Sequence, residues 1–204
     1  MNKKAISLYK SQEIERNTSI KYPFNSITSF IYLILLLHFY NKTFTLFNLI
    51  GILIIISLTI SSYLWWAYRD AFVQKIDIIS YSSIIYYVGF LNLINNSLSI
   101  NYRFNISILF IILVYFITLI TENNNNFLIK LINIIGVLFS VNIILENNIN
   151  NKIKIGLILT FFSFVFKICD TFNFINFNNL KLCSGTGWFH ILSGIGLFNL
   201  IDIQ

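Results

Sequence analysis

Long apolar runs alternate with short polar breaks along the chain. The runs cover residues 24–40, 44–66, 74–94, 105–121, 126–145, 153–173 and 184–202. The apolar residues are continuous within each run. They do not follow the every-second-residue pattern of a barrel strand, so the runs predict helices. A helix needs about 20 apolar residues to cross a hydrocarbon core about 30 Å thick. Several runs fall short of that, which tilt or local thinning accommodates. The breaks are Asn41 to Thr43, Arg69-Asp70, Asn95 to Arg103, Glu122 to Asn126, Glu146 to Lys154 and Asn173 to Lys181. Connections this short favour antiparallel neighbours. The expected fold is all-α, a polytopic membrane bundle of about seven transmembrane helices. Residues 1–23 form a polar, basic N-terminal segment, and residues 24–204 form the membrane domain.

Composition supports this. The chain has 204 residues, of which 56% are hydrophobic and 11% charged, with a mean hydropathy of +0.74. Soluble domains average about 25% charged residues. An ordinary soluble globule and a disordered chain are excluded, and no nucleic-acid partner is expected. The net charge of +6 has another use. With seven spans, Lys3, Lys4, Lys10, Arg16, Lys21, Arg69, Lys75, Lys130, Lys167 and Lys181 gather on the N-terminal side, against Lys42, Arg103, Lys152 and Lys154 opposite. Basic flanks set orientation and meet anionic headgroups, so the N-terminus is expected in the cytosol or its equivalent, and lipids are expected partners. The membrane itself is left open, endomembrane or organelle inner membrane. Cys169 and Cys183 form neither a CxxC pair nor a disulfide framework.

Ionisable groups inside spans are costly and are the default candidates for function. Asp77 lies just inside the third run, Asp170 near the end of the sixth and His190 in the seventh; His38 sits at the end of the first. Ser62 is the notable hydroxyl of the second. Up-and-down topology brings Ser62, Asp77, Asp170 and His190 to similar depth on the N-terminal side. Each also has an ordinary reading. Ser62 can bond a neighbouring helix, Asp170 can pair with Lys167 one turn away, and Asp77 needs a partner from another helix.

The segments Ser62-Tyr63-Leu64-Trp65-Trp66-Ala67 and Gln74-Lys75-Ile76-Asp77 resemble the alkaline ceramidases, seven-span hydrolases in the superfamily of the adiponectin receptors. The fifteen-residue step from Ser62 to Asp77 equals the family's spacing. Thr186-Gly187-Trp188-Phe189-His190-Ile191-Leu192-Ser193-Gly194-Ile195-Gly196 is similar to the family's last-span motif, and Phe24-Asn25-Ser26-Ile27-Thr28-Ser29 to its first. Cys169-Asp170 loosely matches its sixth-span aspartate. The resemblance implies a site in which three histidines hold zinc, with a supporting Ser and an Asp suited to proton transfer, for attack of water on the ceramide amide.

Carried over position by position, the resemblance implies supporting and catalytic roles for Ser62 and Asp77, and a metal-ligand role for His190. The other two ligand positions fall on Trp66 and Thr186. With only two histidines in the chain, a three-histidine zinc site is excluded. Indole has no available lone pair, and a neutral hydroxyl is a poor zinc ligand. No cofactor is therefore expected, unless zinc is held by a rebuilt set of Asp77, Asp170, Cys183 and His190. One acidic position of the family's calcium site falls on Tyr22, with Glu13, Glu15 and Asn17 nearby but out of register. The expected function is a pseudoenzyme that keeps the ceramidase-like fold without zinc-dependent amide hydrolysis. It serves as a lipid-binding scaffold or a subunit of a membrane complex. The alternative is an active lipid amide hydrolase with an altered metal site. A transporter or channel subunit is a third reading, disfavoured because the charged candidates gather on one side.

Overall fold

A computed structural model of the chain describes residues 11–40, 45–93, 112–113, 131, 134–136, 151–177, 180 and 183–201. The regular structure among the described residues is helical, without strands. Helix α1 (Pro23–Thr28) continues directly into a 3₁₀ helix, Ser29–Phe39. Helices α2 (Leu46–Tyr68), α3 (Ala71–Leu93), α4 (Asn151–Phe172) and α5 (Gly185–Leu200) follow. Five of the expected spans thus appear as helices. The expected spans 105–121 and 126–145 lie outside the described residues, apart from isolated helical positions at 112–113, 131 and 134–136. Lys3, Lys4, Lys10, Lys42, Arg103, Lys130 and Lys181 also lie outside them, so the charge asymmetry is a sequence reading.

Each helix end has a local cause. Pro23 sits in the first turn of α1, where its missing N–H costs nothing. The Glu13 carboxylate accepts from the N–H groups of Phe24 (2.7 Å) and Asn25 (2.9 Å), so a distant residue caps this helix. Thr45 caps α2 through Asn48 N–H. Arg69, in the left-handed region at φ 59°, closes α2 by donating its N–H to the Trp65 carbonyl. Asp70 then caps α3 through the N–H groups of Phe72 (2.9 Å) and Val73 (3.0 Å). Two residues therefore reverse the chain, one by its backbone and the next by its side chain. Ser184 caps α5 through Gly187 N–H.

Side-chain pairs fix the directions. Ser57 bonds Ser80 and Ser62 bonds Asp77, so α2 and α3 are antiparallel. Asp170 meets Thr186, while Gly156 meets Gly196, so α4 and α5 are antiparallel. Ser29 bonds Ser62 and Phe39 lies against Gly51, which sets the first helical segment antiparallel to α2. Thr28 bonds His190, Tyr32 bonds Ser193 and His38 bonds the Phe198 carbonyl. The first segment and α5 are therefore parallel neighbours. The 3₁₀ stretch has three residues per turn, so positions three apart eclipse. Ser29, Tyr32 and Leu35 are its buried residues, spaced at that period.

Large apolar side chains lie both inside and outside the bundle: Leu35, Ile55, Leu58 and Ile84 are buried in a common core, while many others are exposed. On α2, Leu53 is 55% exposed and Ile60 is 52% exposed, whereas Ser62 is 2% exposed. On α4, Phe161 is 64% exposed while Ser163 is fully buried. Small and polar residues such as Ser62 and Ser163 join this core between helices, while many Leu, Ile and Phe side chains face outward. The α4–α5 contact is one close approach. A Cβ at Gly156 would lie 2.9 Å from the Gly196 carbonyl oxygen, and one at Gly196 would lie 2.5 Å from Thr160 Oγ1. Helix segments Asn48–Tyr68 and Asn151–Phe172 are long and apolar enough to cross a membrane.

Candidate functional site

The ends of α1, α2 and α4 and the starts of α3 and α5 meet at one end of the bundle, around a buried polar cluster. Each contributor lies on the inward stripe of its helix. On α4 the stripe runs Gly156, Thr160, Ser163, Lys167 and Asp170, alternating steps of four and three. On α3 it includes Gln74 and Asp77, both buried, and on α5 Thr186, His190 and Ser193, also buried.

Most of the expected residues come together. Ser29 Oγ donates to Ser62 Oγ at 3.0 Å, and Ser62 in turn bonds Asp77. The partner that Asp77 requires from another helix is therefore Ser62. Neighbouring Ser61 instead donates back to the Ser57 carbonyl at 2.6 Å, so adjacent serines have different uses. His190 Nδ1 lies 3.1 Å from Thr28 Oγ1. The Thr28 hydroxyl also lies 2.8 Å from the Phe24 carbonyl, to which it can donate. The ring is wedged among Tyr32 (centroids 6.0 Å), Trp66 (6.3 Å) and Phe189 (5.8 Å).

Asp170 works as a junction. Its Oδ1 accepts Gln12 N–H at 2.9 Å, and its Oδ2 accepts Thr186 N–H at 2.8 Å together with the Thr186 hydroxyl. Lys167 Nζ donates to the same Thr186 Oγ1 at 2.8 Å and lies 5.2 Å above the Trp66 ring. The expected Lys167–Asp170 pair is thus linked through Thr186, whose hydroxyl accepts from the ammonium and donates to the carboxylate.

The N-terminal segment is built into this end. Besides its bond to Asp170, Gln12 reaches the Ile175 carbonyl (2.7 Å) and accepts from Phe177 N–H (3.1 Å). Lys21 and Tyr22 donate backbone N–H groups to the carbonyls of Ala67 and Trp66, which satisfies the last turn of α2. Asn25 bonds Ser11 and Ser184. Burial pushes the Glu13 carboxyl above its ordinary range, opposed by the two N–H groups it accepts. Glu15 bonds Lys21 at 2.9 Å, which holds its carboxyl below the ordinary range. The acidic residues nearest the resembled calcium site are therefore engaged with backbone N–H groups and a lysine.

The residues at the resembled zinc site do not fit that ion. Trp66 offers a ring face, Thr186 offers a hydroxyl already shared between Lys167 and Asp170, and an ammonium stands beside them. Cys183, in the left-handed region at φ 59°, is exposed just before the α5 cap. Among the described residues, no three His, Cys, Asp or Glu side chains are placed to share a metal ion. Lys167, Asn25, Thr28, Ser29 and Gln12 belong to the cluster without having been singled out for it from sequence. The small-polar stripe on α4 carries the signal for Lys167, and the Phe24–Ser29 motif carries it for the three residues of the first segment. Comparisons of the chain with protein-family models, curated proteins and solved structures give no match.

Proposed function

We propose that the chain is a seven-span, ceramidase-like integral membrane protein that no longer performs zinc-dependent amide hydrolysis. It serves as a lipid-binding scaffold or as a subunit of a membrane complex. Outward Leu, Ile and Phe with inward hydroxyls support residence in lipid. Helix directions support the span number: α3 runs parallel to the first segment and α4 antiparallel to it, so an even number of crossings separates them. Two crossings, at 105–121 and 126–145, make seven. The first segment has only 17 residues. At about 1.5 Å per α-helical and 2.0 Å per 3₁₀ residue it reaches about 31 Å, where an α-helix throughout would reach about 26 Å. The 3₁₀ stretch thus matches a short segment to the hydrocarbon thickness.

One observation carries the reading on activity. Ser62, Asp77, Trp66, Thr186 and His190 gather in one buried cluster, as the resemblance requires, yet two of the three ligand positions hold an indole and a bridging hydroxyl. Fold and supporting residues persist where the zinc chemistry does not. The test is to purify the full chain in mild detergent, identify co-purifying lipids by mass spectrometry, and assay a ceramide with zinc added. Bound lipid without turnover is expected. Zinc-dependent release of fatty acid would overturn the reading.

A further inference from the structure

We infer that Lys167 supplies from the chain itself the positive charge that a metal ion supplies in the resembled family, making this centre an internal ammonium site. The pairing rests on the geometry of this chain, and only the comparison with a metal rests on the proposed function.

Three residues that are unsuited to zinc are mutually suited to an ammonium. A zinc ligand must offer a lone pair, whereas an ammonium is attracted to the negative face of an indole. Trp66 presents that face 5.2 Å from Lys167 Nζ. An ammonium has three donors and no acceptor, and a carboxylate only accepts. A hydroxyl joins them by accepting from one and donating to the other, as Thr186 does between Lys167 and Asp170. Asp77, across the cluster on α3, is within electrostatic reach of Lys167. Two buried carboxylates need a nearby positive charge or protons to persist there. Lys167 lies on the α4 stripe one turn before Asp170. His190 also feels the Lys167 charge, and a second cation entering beside the ring would meet it.

The test uses the full chain in detergent. Unfolding midpoints are measured for Lys167→Met, Asp77→Asn and the double variant. Lys167→Met should lower the midpoint, and adding Asp77→Asn should recover about half of the loss or more, because the carboxylate then needs no counter-charge. Losses that simply add would overturn the inference. Zinc titration of the wild-type chain gives a second measurement, independent of whether Lys167→Met folds. Absence of any zinc binding that depends on His190 is expected. One zinc per chain, lost in His190→Ala, would overturn the inference. Ceramide turnover without zinc would instead overturn the proposed function and leave the ammonium site standing.

Discussion

Replacing Thr186 by valine keeps the shape of a fully buried side chain and removes only its hydroxyl. That hydroxyl accepts from Lys167 Nζ and donates to Asp170 Oδ2. Hydrogen bonds to charged groups contribute about 1.5–3 kcal/mol each. The full sum is not lost, because Asp170 keeps the N–H groups of Thr186 and Gln12 and the two charges still attract. A loss of about 2–4 kcal/mol is expected. Thr186→Ser keeps both bonds and gives up one methyl, so it should lose less than about 1 kcal/mol. Tryptophan fluorescence during SDS titration in mixed micelles measures both variants, since Trp66 and Trp188 flank the site. A valine variant within about 0.5 kcal/mol of wild type, or serine as damaging as valine, would refute the bridging role.

Other predictions follow from the same contacts. Gly196→Val should separate α4 from α5 and cost about 1–3 kcal/mol or more, read as a lowered thermal midpoint; an unchanged midpoint would contradict the close approach at Gly156 and Thr160. Trp66→Ala should cost about 3–5 kcal/mol by opening a cavity beside His190, measured in the same titration. For pH, the folded state holds the Glu13 proton more tightly than the unfolded chain, because burial raises this carboxyl. Its contribution to stability should therefore grow as pH falls from neutral through the raised pKa, and level off below the ordinary value of about 4.3. Glu15, lowered by its bond to Lys21, should act oppositely, its contribution being lost as pH falls. Midpoints of Glu13→Gln and Glu15→Gln against wild type between neutral and acid pH separate the two, and parallel curves would contradict both signs.

Helix positions are legible in the sequence because long unbroken apolar runs bounded by polar breaks leave few alternatives. The expected runs 44–66, 74–94, 153–173 and 184–202 differ by only a few residues from α2, α3, α4 and α5. The 3₁₀ stretch was not legible, since a run of Leu and Ile carries no mark of its period until Ser29, Tyr32 and Leu35 are seen buried together. The convergence of Ser62, Asp77, Asp170 and His190 followed from counting helix directions. What joins them did not. Thr186 stands out from sequence only as a missing ligand, while in the fold it reaches from α5 to link a lysine and a carboxylate of α4. Lys167 reads as an ordinary helix-face charge because the Trp66 ring it approaches lies about a hundred residues away in sequence. The N-terminal segment reads as a polar tail for a similar reason. The capping of α1 by Glu13 and the anchoring of Asp170 by Gln12 are long-range contacts without local periodicity.

A centre holding Trp66, Thr186 and Lys167 should not support amide hydrolysis. The most direct measurement is fatty-acid release from a labelled ceramide by the purified chain in liposomes, with wild type and His190→Ala compared, each with zinc and with chelator. The same background rate is expected in all four conditions. Release that needs zinc and vanishes in His190→Ala would contradict it.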